Sequence, residues 1–201
     1  MSATAPKNPQ MGKANSNIWS TRQLVTMALL AAIGALFSFI QIPLIPAAPF
    51  LTYDPSLVPA MIAGFAYGAG PGVAVGCIAA VIHGLILGEW VGTLMNILAT
   101  LFFVLPAALI YRKKHTLSGA VIGLVVGIVC ATLGAVVSNL TVGVWFWYGS
   151  VDAILPLLWI AVVPFNLAKA GLNAVFTMIV YKSISNLITP EKDQVKGRPN
   201  N

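Results

Sequence analysis

Residues 163–173 read VPFNLAKAGLN, inside an apolar run that extends from 154 to 184. A run of that length is more than enough to cross a bilayer, which takes about 20 residues. Yet Lys169 stands near its middle, with Asn166 three residues before it and Asn173 four residues after. At helical spacing these three share one face. A lysine at the centre of a spanning helix costs about 2.5–3.5 kcal/mol on insertion scales, so residues of this kind face the protein interior and mark functional sites. Lys169 lies too far from either end of the run for its ammonium to snorkel to the interface. The competing reading is a structural lysine bonded to backbone carbonyls. Pro164, just before these residues, removes a backbone hydrogen bond, which kinks the helix and frees a carbonyl.

The rest of the chain has the same character. Of 201 residues, 58% are hydrophobic and 8% charged, against about 25% charged in soluble domains. Six segments qualify as spans: 21–42, 56–69, 72–87, 90–111, 117–147 and 154–184. The first is too long for the apolar core of a signal peptide and reads as a retained helix. The net charge of +6 does not point to nucleic acid, because the basic residues gather between apolar runs. Lys7, Lys13 and Arg22 precede the first span, Arg112, Lys113 and Lys114 follow the fourth, and Lys182, Lys192, Lys196 and Arg198 follow the sixth. With six spans all of these fall on one side, which the positive-inside rule makes cytoplasmic. Asp54, Glu89 and Asp152 fall on the other. The expected fold is therefore an all-α integral membrane protein, a six-transmembrane-helix bundle over 19–188 with both termini cytoplasmic. Residues 1–18 and 189–201 are its polar cytoplasmic tails, both expected to be disordered. Cys77 and Cys130 lie inside apolar runs and read as small buried hydrophobes, with no disulfide or zinc pattern.

Small residues recur at helical spacing, as in GVAVG of the third span and GLVVGIVCATLGAVV of the fifth. There they let helix backbones pack closely within the bundle. In the first span Ala28 and Ala32 form one such pair and Ala31 and Ala35 another, which suits internal packing or the docking of a second membrane subunit. Further polar groups sit in the outer half of the bundle: Asn96 in the fourth span, Asn139 in the fifth, and His83 in the third, the last read as a packing residue. With Lys169 they outline a pocket that opens outward. Trp145, Trp147, Tyr148 and Trp159 read as an interfacial belt. Between the first two spans, PLIPAAPFLTYDPSLVPAM is rich in proline but carries Phe50, Leu51 and Tyr53, which favour burial. Residues 43–55 are read as a stiff lid over the pocket. Asp54 is given a local role as cap of the second helix, with Pro55 in its first turn, and no role as a ligand.

Three of these stretches also resemble a known family. LTYDPSLVPAMIAGFAYGAGPG, MNILATLFFVLPAALIYRKK and PFNLAKAGLN, in that order, are similar to the first loop and second helix, the fourth helix and the sixth helix of the substrate-binding S-components of energy-coupling factor (ECF) transporters, closest to the riboflavin branch. The resemblance spans roughly residues 20–188. It implies a vitamin-binding membrane subunit, not an enzyme, that works with a transmembrane coupling subunit and two cytoplasmic ATPases. Riboflavin would be its bound substrate rather than a cofactor. It further implies that Asn166, Lys169 and Asn139 reach the flavin, and that Ala28, Ala32 and Ala35 face the coupling subunit. Asn96, Asn173, Leu51 and Tyr53 complete the expected ligand site. Asparagine matches the donor and acceptor pattern of a uracil-like edge, and a lysine donates to a carbonyl. An uncharged flavin, however, brings no counter-ion for Lys169. Other readings stand beside this one: an S-component for another vitamin or a modified nucleobase, a membrane enzyme, or an assembly subunit. Against an enzyme, the sequence shows no metal-ligand cluster, no paired intramembrane carboxylates and no Ser/His/Asp arrangement; GAGPG lacks the lysine and hydroxyl of a P-loop, so ATP-driven transport would draw its energy from partners.

Overall fold

A computed structural model describes residues 19–46 and 48–188; the terminal tails expected at 1–18 and 189–201 lie outside the described residues. Helix α1 (Thr21–Phe37) begins at Ser20, whose hydroxyl accepts the Gln23 N–H while the Gln23 side chain accepts the Ser20 N–H. This reciprocal capping box satisfies two donors that the first turn would leave unpaired. The helix stops at Phe37 rather than at 42, because Pro43, Pro46 and Pro49 follow and proline disfavours helical backbone before it. In place of the last turn the chain forms a short antiparallel ladder, β1 (Ile42–Pro43) against β2 (Thr52–Tyr53), with Ile42 opposite Tyr53.

Helix α2 (Leu57–Tyr67) has every residue from Leu57 to Ala66 buried. It packs against α1, against α3 (Ala69–Leu87), against α4 (Trp90–Lys113) and against α7 (Val163–Ile188). Eleven residues rise only about 16 Å at 1.5 Å each, so α2 is a buried axial helix about half a bilayer long. A single residue, Gly68 at φ +104, separates α2 from α3. Only glycine adopts that backbone freely, so Gly68 makes the turn and the rest of GAGPG forms the first turn of α3. The hairpin is tight: a Cβ on Gly72 would lie 2.6 Å from the Gly64 Cα.

Helix α5 (Leu117–Ser138) lies along α4 in the same manner. A Cβ on Gly127 would lie 2.9 Å from the Phe103 carbonyl oxygen, and one on Gly123 would lie 2.7 Å from that of Ala107. The small residues of the third and fifth spans therefore serve packing inside the bundle. Cys77 and Cys130 are half-buried and unpaired, less enclosed than their sequence context suggested, because Ile78 and Val129 beside them face outward.

The fifth and sixth spans both change winding in their outer parts. After Ser138 the chain continues in wide π turns over Asn139–Tyr148, closing with the Gly149 N–H on the Val144 carbonyl. Asn139 and Thr141 donate their side chains to the carbonyls of Ala135 and Val137, four residues back. Such back-bonding competes with the helical N–H for the same acceptor. Helix α6 (Val151–Leu157) then leads through a second π segment, Leu158–Val162, into α7. There the Val163 N–H reaches Leu158, and Pro164 follows with no N–H to offer.

Four helical stretches among the described residues are long and apolar enough to cross a membrane: Ala69–Leu87, Trp90–Lys113, Leu117–Tyr148 and Val151–Tyr181. Helices Thr21–Phe37 and Leu57–Tyr67 are apolar but shorter. The main core surrounds α2 and ends in an aromatic group, where the Tyr111 hydroxyl bonds the Tyr181 hydroxyl at 2.8 Å and Phe65 packs on both rings.

Candidate functional site

The lysine that decides the reading of the sixth span has a partner within the chain. Lys169 Nζ lies 2.6 Å from Asp54 Oδ2, and the two side chains are 12% and 9% exposed. Asp54 is held in place by side chain and backbone alike. Its Oδ1 accepts the Ser56 N–H at 3.1 Å and the Ser56 hydroxyl as well. The Asp54 carbonyl accepts Asn173 Nδ2 at 3.2 Å, and the same amide also donates to the Lys169 carbonyl. A buried ion pair is tolerated when further hydrogen bonds satisfy its remaining lone pairs, and here they do. Asp54 does not cap α2: Ser56 holds the N-cap position, and its side chain is turned to Asp54 instead of to the helix. Pro55 accordingly stands before the cap, outside the first turn.

This pair joins two regions that sequence alone leaves apart, the 43–55 segment and α7. Its signal was present, since an intramembrane lysine calls for a partner. Glu89 and Asp152 sit at helix starts and are exposed, whereas Asp54 is flanked by apolar residues that are themselves buried, Tyr53 on one side and Leu57 on the other.

Around the pair, polar atoms remain without partners. The Tyr53 hydroxyl, Asn173 Oδ1 and Thr177 Oγ1 are buried and make no hydrogen bond among the described residues. Burial, and then the neighbouring Asp54 charge, push the Tyr53 phenol up to about 12, so it stays a neutral donor at physiological pH. An ammonium has three N–H donors; Asp54 engages one of those on Lys169. Asn166, half-buried one turn before Lys169, gives its amide to the Val162 carbonyl and keeps its own oxygen available. The arrangement suits a neutral ligand rich in carbonyl and N–H groups.

Of the remaining expected site residues, Asn139 is buried but occupied: its amide donates to Ala135 and its oxygen accepts the Tyr148 hydroxyl at 3.4 Å. Tyr148 thus turns inward, while Trp145, Trp147 and Trp159 are exposed as a belt requires. Asn139 and Asn166 flank one apolar cluster, that of Ile154, Leu158 and Val162 with Ala135, Leu140 and Tyr148. Asn96 is half-buried on α4, where its carbonyl accepts the Thr100 hydroxyl. Among the described residues no hydrogen bond ties it to the Lys169 cluster. In the 43–55 segment Tyr53 is buried and Leu51 half-buried, but Phe50 is 60% exposed, against the expectation that all three bury. His83 packs against Phe39 and lies 3.4 Å from Gln41, as a packing residue would. On α1, Ala28 and Ala32 are exposed while Ala35 is buried, so the three do not share one outer surface.

A family model for the substrate-specific component of ECF transporters matches residues 22–181. The riboflavin transporter RibU of Staphylococcus aureus is 27% identical over 184 residues, covering 88% of this chain and 97% of that one. The riboflavin transporter FmnP of Bacillus subtilis is 28% identical over 173 residues, covering 80% and 91%. A solved S component of a bacterial ECF transporter superposes with a TM-score of 0.68 at 26% identity, covering 84% of this chain and 98% of the other. With the family pattern running through α1 to α7 and the fold matched along the whole of a solved member, this chain belongs to the substrate-specific components of ECF transporters, multi-pass plasma-membrane proteins that bind a transport substrate and are not enzymes.

Proposed function

We propose that the chain is the riboflavin-binding component of an ECF importer, with six spans and both termini cytoplasmic. It captures the vitamin from outside under the 43–55 lid, and a transmembrane coupling subunit with two ATPases drives delivery. The observation that carries this reading is the Lys169–Asp54 pair. It meets the lysine's charge internally, so an uncharged flavin needs no charge of its own to occupy the site. The spare Lys169 donors, the Asn166 oxygen, the Tyr53 hydroxyl and Asn173 Oδ1 offer the donors and acceptors that a uracil-like edge requires. The names of the curated relatives support the same ligand.

The direct test is to purify the full chain in detergent and record its visible absorption. A flavin spectrum that survives gel filtration is expected, or quenching of added riboflavin fluorescence if the chain is purified empty. A colourless protein that leaves riboflavin fluorescence unchanged would overturn the flavin assignment in favour of another vitamin or a modified nucleobase.

A further inference from the structure

We propose that Asp54 is a specificity-determining residue: by neutralising Lys169 it reserves the site for uncharged flavin and disfavours the phosphorylated form. This inference rests on the flavin reading above and adds a charge rule to it. A buried ammonium with no counter-ion is an anion site, and a phosphate monoester, with a charge of −1.5 to −2 at pH 7, is the anion such a site would draw in. Here the chain supplies the anion itself, at 2.6 Å.

Asp54 cannot readily swing aside to make room for another. Ser56 holds its second oxygen and Asn173 holds its carbonyl. Its chain neighbour Tyr53 is locked in the ladder with Ile42. The cluster therefore carries no net charge, yet Lys169 keeps N–H donors for a neutral carbonyl. At an effective dielectric of about 20, a full charge is felt across the length of a small ligand. With the uracil-like edge at Lys169, a phosphate at the ribityl end of the ligand meets a site whose positive charge the Asp54 carboxylate already cancels.

The test is the ratio of two dissociation constants for the full-length chain in detergent, that of riboflavin 5′-phosphate over that of riboflavin. Both are read by fluorescence quenching at one ionic strength. The unmodified chain should prefer riboflavin. Asp54→Asn keeps the size of the side chain and an oxygen for Ser56, and should lower the ratio at least about tenfold. Asp54→Glu should leave the ratio near its original value. If Asp54→Asn does not fold, Lys169→Gln reads the same rule with the opposite sign, since the carboxylate left alone should raise the ratio. A ratio unmoved by either charge-changing variant overturns the charge rule while leaving the flavin reading intact. An unmodified chain that binds neither flavin overturns both.

Discussion

Removing either member of the Asp54–Lys169 pair should cost far more than removing both. Each side chain sits in a low-dielectric interior with its charge met by the other. Truncating one partner of a buried pair typically costs about 3–5 kcal/mol, because the surviving charge is uncompensated, whereas replacing both by apolar groups is near neutral. Lys169→Met and Asp54→Leu should each lower the midpoint of thermal unfolding in detergent without ligand, and the double variant should recover most of the loss. A double variant as unstable as the two losses added together would show that the pair is not coupled. Tyr53, next to Asp54, gives a second reading of the same environment. Its folded pKa is raised from 10.0 to about 12, so its neutral form stabilises the fold fully below pH 10, and that contribution is lost as pH rises through 12. The alkaline fall in stability should therefore be shallower in Tyr53→Phe, as measured by unfolding midpoints across that window. At this scale the sequence displays half of the site. Asn166, Lys169 and Asn173 follow from helical spacing, whereas Asp54 lies 115 residues away from its lysine, and no local pattern encodes a contact of that range.

The helices themselves were largely legible, because apolar run length is a strong signal, but their interruptions were not. Segment 56–69 has the composition of a span, yet α2 is short and enclosed on all sides, a difference that depends on neighbours rather than on its own residues. The first π segment goes with side chains of Asn139 and Thr141 that choose backbone carbonyls, a choice that composition does not record. The turn at Gly68 is similar, since GAGPG suits either a loop or a helix start. The close approach of α2 and α3 predicts opposite behaviour for two glycines in one turn. Gly72→Ala would drive its Cβ against the Gly64 backbone at 2.6 Å, which no rotamer change relieves. It should destabilise by about 1–3 kcal/mol. Gly70→Ala meets nothing within 4 Å and should leave the unfolding midpoint level or raise it, since alanine is favoured over glycine in a helix by up to about 1 kcal/mol. Equal effects at both positions would mean that the hairpin is looser than described.

For the molecule as a whole, the proposed topology rests on basic residues before the first span, after the fourth and after the sixth. α1 and α3 pack side by side, and α2, α4 and α7 meet at the Phe65–Tyr111–Tyr181 aromatic group. That group lies beside Arg112 and Lys113, where the cytoplasmic end is expected. The proposed docking face for the coupling subunit is on α1, and the structure divides the alanines there in a way that can be tested. Ala28 and Ala32 are exposed, among Val25, Leu29 and Leu36, which also face outward. Ala35 is 6% exposed and faces the bundle with Gly34, whose position meets Ala79 and Pro59. Leucine at both 28 and 32 has room in a monomer and should leave the unfolding midpoint and riboflavin affinity unchanged. It should also reduce uptake at least about tenfold when the energising module is co-expressed, because small residues are what let two membrane helices approach. Ala35→Leu should instead overpack the bundle and lower the midpoint by an amount equivalent to about 1–3 kcal/mol. Normal uptake by the Ala28→Leu, Ala32→Leu variant would remove α1 as the docking face and send the search to another exposed surface of the bundle.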